Sequence, residues 1–312
     1  MKIIKRIKHI YEVAFKYLRG AIKTRQLLFG NKYTFILNNH HIGDICYALS
    51  ALNVYIKTNE NRSIKVIWDN KFSEVYIAFK ITSLQYMDEK TQYDIYTYLL
   101  KSKSKFVKRI LNNERIIPTF TNIYISPEEQ EKKSLSVMDV LVRRAFHVQK
   151  DYRPIYPYIL SNNIENILGM RINKKSTILI SPFAQSMDIP LTFFQEIADV
   201  FLKKGYKVFT NLSKKDDLAL NGTIGIFLSL NDTYCLIQKC VGCIGVRSGF
   251  FDYVISANSL FYILYDNNYT MKKSYRLEAW QTNNDIIERY YQKYEKNESI
   301  LNEIDLLFPK VN

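Results

Sequence analysis

Three short loops hold the residues best suited to chemistry. In Gly245-Val-Arg-Ser-Gly-Phe-Phe-Asp252 an arginine is followed at once by a serine and a glycine, with a carboxylate three residues further on. Arg247 offers the planar fork of donors that a diphosphate accepts, and Ser248 and Gly249 open a helix whose first N–H groups lack partners within it. Asp252, one turn in, has the acceptor oxygens a ribose hydroxyl needs. The alternative is structural, with Ser248 as a helix cap and Arg247 in an ion pair. The two make opposite demands on Arg247: an anion contact can be removed without unfolding the protein, whereas a structural arginine cannot.

The second loop is Asn38-Asn-His-His-Ile-Gly-Asp44. Gly43 permits a tight turn and close approach of a ligand, while Asp44 either caps the next helix or stands as a base. His40 and His41 flank the same loop, but adjacent residues rarely reach one ligand together and two histidines alone are no metal site. In the third loop, Ser181-Pro-Phe-Ala-Gln-Ser186, the side chains of Ser181, Gln185 and Ser186 either meet phosphate oxygens or form an ordinary turn. Cys240 and Cys243 have the spacing of half a metal site, yet no second such pair exists, and all four cysteines read as reduced thiols. No Asp-x-Asp stands out as a metal bridge, so no metal is expected; Asp216-Asp217 lies in a lysine-rich surface turn.

Apolar and β-branched runs at 33–38, 63–68, 176–180, 206–210, 224–228, 241–246 and 260–264 predict strands. Between them, helical periodicity marks segments such as 72–79, 191–204, 232–239 and 248–257, with Gly205 as a stop. Alternating strands and helices indicate parallel sheets covered on both faces. Residues 84–150 are less regular, with helical patterns over 93–111 and 127–146. Two prolines in Tyr152-Arg-Pro-Ile-Tyr-Pro157 mark a linker. The expected division is a helix over 1–30, a first lobe over 31–152, a second over 153–274, and a helical segment over 275–312 packed across both. In doubly wound sheets ligands sit beyond the carboxyl ends of the strands, where all three loops fall.

A chain of 312 residues, 47% apolar and 24% charged, fills two ordinary domains and gives no reason to invoke disorder. Neither a spanning segment nor an apolar signal core is evident, so a cytoplasmic protein is expected, at most peripheral on the inner face of the plasma membrane. The formal charge of +14 calls for an anionic partner. Eight cations in the first 25 residues face Glu12 alone. Ile3, Ile7, Ile10, Ala14, Leu18 and Ile22 recur there at helical spacing, although Gly20 weakens the pattern. Such a helix either lies on an anionic membrane or packs on its own domain. The 24 tyrosines are scattered through core elements and no RNA-binding signature appears, so nucleic acid is not the expected partner.

Neither a P-loop, a G-x-G-x-x-G nor a G-x-S-x-G occurs. The chain does resemble the GT-B glycosyltransferases of the lipopolysaccharide heptosyltransferase-like family, from Tyr33 to about Asp266. The resemblance is carried by Ile42-Gly-Asp-Ile-Cys-Tyr-Ala-Leu-Ser-Ala-Leu52, by Ile180-Ser-Pro-Phe-Ala184, and by Ser229-Leu through Cys240 with Ile244-Gly-Val-Arg-Ser-Gly249. Two positions depart: Asp252 replaces the family histidine, and Met187-Asp-Ile-Pro190 stands where a lysine is usual. The variant looks like a sister branch used in bacterial surface-polysaccharide assembly. The resemblance implies two Rossmann-like lobes and an inverting, metal-independent transfer of a sugar from a nucleotide-activated donor to a lipid-linked or polysaccharide acceptor. It makes Asp44 the general base and lobe two the donor site. The nucleotide sugar is a substrate, and no cofactor is implied. An inactive scaffold of the same fold is the competing expectation.

Overall fold

The computed structural model describes residues 2–38, 41–58, 63–293 and 297–311. The chain divides into two compact units, residues 1–155 and 156–312. In the first, strands β1 (Thr34–Leu37), β2 (Ile64–Trp68), β3 (Leu84–Tyr86) and β4 (Ile116–Pro118) pair in parallel in the order β3-β2-β1-β4. β1 is buried along its whole length, as a parallel strand covered on both faces must be.

The unit opens with helix α1 (Lys2–Leu28), and α2 (Ile42–Thr58) and α3 (Ser73–Ala78) follow β1 and β2. The helical pattern over 93–111 resolves into α4 (Glu89–Lys101) and α5 (Lys105–Asn112), because Ser104 takes an N-cap position and accepts from the Val107 N–H. The pattern over 127–146 divides likewise. α6 (Pro127–Lys132) starts at the Ser126 cap, α7 (Val137–Val140) at a Ser136–Asp139 capping box, and a π-helical turn covers Leu141–Ala145.

Gly20 does not end α1; it lets α1 cross α4 at close range. A Cβ built on it would lie 2.0 Å from the Asp94 carbonyl oxygen. Beside the crossing, Arg19 pairs with the buried Asp94 carboxylate at 2.9 Å, Thr24 donates to the Gly20 carbonyl, and Leu27 enters the core with Phe35, Ile95 and Leu99. One face of α1 is therefore packed on its own unit.

The second unit begins, after the short α8 (Ile164–Leu168), with β5 (Thr177–Ser181). It continues through α9 (Leu191–Lys203), β6 (Lys207–Asn211), β7 (Ile224–Ile226), α10 (Leu230–Ile237), β8 (Gly242–Val246), α11 (Gly249–Val254) and β9 (Leu260–Asp266). Gly205 follows α9 at φ +84°, the left-handed turn that releases the chain into β6. The segment expected to be helical from 275 instead holds a 3-10 turn (Leu277–Trp280) and β10 (Ile286–Tyr291) before α12 (Glu298–Leu307). β10 pairs with β9, and its Glu288 accepts from the Leu277 N–H. Only Tyr291 of its six residues is buried, so its sequence lacks the apolar run of a central strand. α12 packs on α9, and Phe308 meets Phe201 edge-on, so this segment belongs to the second unit.

The six strands lie parallel in the order β10-β9-β8-β5-β6-β7. Counted within the unit, that is the doubly wound 6-5-4-1-2-3 arrangement. Replacing Gly20 by leucine should force α1 off α4. Overpacking costs about 1–3 kcal/mol, and about 2–4 °C is lost per kcal/mol in a unit of this size. Calorimetry of Gly20→Leu should show that fall, and an unchanged melting temperature would refute the close crossing.

Candidate functional site

In each sheet the chain winds outward from one strand and then crosses back to that strand's other side. The crevice where this happens lies between the carboxyl ends of β1 and β4 in the first unit, and of β5 and β8 in the second. All three loops singled out by composition leave from these strands.

In the first unit, His41 occupies the N-cap position of α2, since its carbonyl accepts from the Ile45 N–H at 2.9 Å. Gly43 is buried, and Asp44 is half-buried in the first helical turn rather than ahead of it. His41 is exposed, and His40 lies outside the described residues. The strand ends are tied by residues that sequence reading passed over. Thr119, just after β4, donates its N–H to the Leu37 carbonyl at 2.9 Å, and its hydroxyl lies 3.3 Å from the Asn38 Oδ1. Asn38 in turn donates to the Tyr76 hydroxyl, whose pKa burial pushes up to about 12 against the opposing effect of that hydrogen bond.

In the second unit, Ser181 stands in register with Gly245. A Cβ on Gly245 would come within 2.4 Å of the Ser181 carbonyl oxygen and 2.8 Å of the Phe251 ring, so only glycine fits where β8 passes the end of β5. The Ser181 hydroxyl is buried and accepts from Asn211 Nδ2 at 3.1 Å, which joins the ends of β5 and β6. Gln185 and Ser186 are exposed on the loop beyond.

Arg247 points inward. It is 3% exposed, its Nη2 donates to Asp252 Oδ1 at 2.7 Å, its Nε donates to the Tyr275 carbonyl at 2.8 Å, and its Nη1 donates to the Ser248 carbonyl. Asp252, 1% exposed, also accepts from Trp280 Nε1 at 3.0 Å. The two side chains read as a diphosphate clamp and a ribose acceptor are therefore partners of each other. The reason is burial: a guanidinium and a carboxylate removed from water at this depth hold only when paired and hydrogen-bonded.

Ser248 differs from the capping expectation. It occupies the N-cap position of α11, but its side chain makes no cap bond, and its Oγ is buried without a hydrogen-bond partner among the described residues. α9, which follows the β5 loop, starts at Pro190 and also lacks a side-chain cap. By contrast α10, which follows the edge strand β7, is capped by Ser229. α9 and α11 thus have no side-chain cap, a feature α12 shares away from the crevice, and in each the third N–H is taken by the N-cap carbonyl. Gly249 opens α11, half-buried.

Among the described residues, no group of three or more His, Cys, Asp or Glu side chains is placed to hold a metal ion. Cys240 and Cys243 are buried, and burial pushes both thiols well above their usual range.

No protein-family model matches the sequence, and no curated protein matches it. Solved structures do match. A family 9 glycosyl transferase from Veillonella parvula superposes with a TM-score of 0.59 at 14% identity, over 88% of this chain and 97% of that one. The Escherichia coli ADP-heptose lps heptosyltransferase II gives 0.57 at 14% identity, over 88% and 98%. The E. coli heptosyltransferase WaaC with ADP gives 0.51 at 8% identity, over 87% and 96%. The fold is GT-B. At these identities the likeness is one of architecture, and it agrees with the two doubly wound sheets.

Arg247→Ala should strand the Asp252 carboxylate in the core and destabilise the second unit by about 3–5 kcal/mol. Arg247→Met combined with Asp252→Asn should recover much of that loss, because no lone charge stays buried. Chemical denaturation of the three proteins checks this, and a single variant as stable as wild type would refute the structural role.

Proposed function

We propose that the protein is a glycosyltransferase that moves a sugar from a nucleotide diphosphate donor to a hydroxyl of a lipid-linked or surface-polysaccharide acceptor. The observation that carries this reading lies at the edge beyond β5 and β8 of a GT-B second unit, where the buried, unpartnered Ser248 hydroxyl stands at the uncapped start of α11. Donor chemistry is supported by the structural neighbours, one of which acts with ADP-heptose and another of which was solved with ADP.

The second unit holds the diphosphate. Ser248 and the first N–H groups of α11, with Ser181, Gln185 and Ser186 on the opposite loop, stabilise the charge that grows on the leaving group. Arg247 and Asp252 act as positioning residues, since their pair fixes the backbone between β8 and α11. Asp44 of the first unit takes the acceptor proton while the acceptor oxygen attacks the anomeric carbon. The bond from that carbon to the diphosphate oxygen breaks, and the nucleoside diphosphate leaves. One displacement inverts the anomeric configuration and needs neither metal nor cofactor. Gly43 and His41 of the first unit are assigned to acceptor binding. The protein works in the bacterial cytoplasm against the inner face of the membrane.

Asp44→Asn should keep donor affinity and fold while lowering transfer by a factor of about 10²–10⁴, the range for a lost general base. Ser248→Ala should instead weaken donor binding. Melting against a panel of nucleoside diphosphate sugars identifies the donor, because ligand at about 100 times its Kd raises stability by about 2.7 kcal/mol. Transfer assays with and without chelator then test metal independence. Stabilisation without transfer to any acceptor would favour the scaffold reading, and no stabilisation by any nucleotide would overturn the proposal.

A further inference from the structure

Helix α1 carries two apolar rows, and the first unit uses one of them. Val13, Tyr17, Gly20, Thr24 and Leu27 recur at alternating steps of four and three, and Gly20, Thr24 and Leu27 are buried on this side, with Tyr17 packed on the core beneath. Tyr11, Phe15, Leu18 and Ile22 keep the same rhythm two residues earlier, which on a helix is about 200° of rotation and hence the opposite face; Arg25 takes the next place in the row, and Phe29 follows just past the helix end. Tyr11, Phe15, Leu18, Ile22 and Phe29 are 73%, 58%, 57%, 49% and 88% exposed. Single exposed apolar residues are ordinary, but a continuous row of large ones along one helix marks an interaction surface.

The segments that carry the row are strongly cationic. Residues 1–25 hold eight cations against Glu12, and residues 101–109, where α5 begins, hold five cations and no acid. At the end of α1 the row runs into a pocket of about 610 Å³ lined by Arg25, Phe29, Phe106, Arg109 and Arg115, with no carboxylate in its wall. The Arg25 guanidinium lies 5.7 Å from the Phe106 ring centre, and the Arg115 Nε is buried without a hydrogen-bond partner among the described residues. Such a pocket suits an anionic head attached to an apolar body.

We infer that this face of α1 docks on an anionic lipid surface, with the Tyr11–Phe29 row seated at the acyl boundary and the arginine pocket holding a lipid phosphate. A second copy of the chain is the less suitable occupant, because joining two such rows would set their flanking cations against each other. Nucleic acid would leave Leu18 and Ile22 without a role, since neither offers a plane for a base to stack on. No helix among the described residues is long and apolar enough to cross a membrane, so the contact is one of lying on the surface. The inference deepens the membrane contact of the proposed function by naming its surface, while its observations are those of α1 and not of the transferase site.

Vesicle co-sedimentation of the full chain tests it, with phosphatidylglycerol mixed into phosphatidylcholine against phosphatidylcholine alone. The wild type should partition onto the anionic vesicles, less so as salt rises. Phe15→Ser, Leu18→Ser and Ile22→Ser together should lower partitioning by at least about ten-fold without lowering the melting temperature, since all three are exposed. Arg25→Gln with Arg109→Gln should lower it about five-fold for each cation removed, and that pair carries the test should the serine variant unfold. Wild type that stays in the supernatant, or variants that sediment like wild type, would overturn the inference. So would a concentration-dependent dimer, seen by analytical ultracentrifugation and abolished by the serine substitutions, in a protein that ignores vesicles.

Discussion

Within each sheet every strand runs in the same direction, so its strands all end at one edge and every return to the sheet must be made by a crossover. Where the winding reverses, two neighbouring strands send their loops apart, and no helix fills the gap between them. That constraint places Asp44 beyond β1 in the first unit and sets the Ser181 and Ser248 loops on either side of the gap in the second. At the same edge β8 passes the end of β5 with no room for a side chain at Gly245. The site follows from the topology before any particular side chain is considered.

Within the second unit the buried Arg247–Asp252 pair turns this opening into a fixed shape. Asp252 binds Arg247 and Trp280, while Arg247 binds the carbonyls of Ser248 and Tyr275, so strand β8, helix α11 and the 3-10 turn before β10 meet at one charge pair. Buried ion pairs add little net stability against apolar substitutes, but they tolerate few alternative geometries. Here that intolerance holds the backbone at the start of α11, where Ser248 and the uncapped N–H groups lie. The energy of the pair resides in the core, and its consequence is felt at the crevice.

The first helix shows how far one element can serve two purposes. Gly20 and Thr24 give up helix propensity to let α4 come close, and Arg19 closes the contact on Asp94. A helix that needed only to cover its domain would be polar on the far side. α1 has an aromatic and aliphatic row there instead, so the residues beyond its packing face answer to something other than the stability of the first unit.

The order of strands and helices in the second unit was legible in the sequence, because fully buried parallel strands are continuous apolar runs and the helices between them keep a regular period. The three loops, and the choice of Asp44, Ser181, Ser248 and Gly249 as residues at strand ends and helix starts, came from the same pattern. The breaks at Ser104 and Ser136 are not legible because a capping serine in a polar stretch looks like any exposed serine, and β10 is not because an edge strand buried only at Tyr291 lacks an apolar run. Thr119 and Asn211 carry no local signal at all, since each acts across a sheet on a residue distant in sequence. Sequence periodicity also could not say which of two apolar faces of α1 packs, as that depends on where α4 presents its backbone. The direction of Arg247 was settled only by the tertiary structure. The same residue type suits an anion or an ion pair, and burial beside Asp252, 1% exposed, is a property of the folded neighbourhood, which no local pattern encodes.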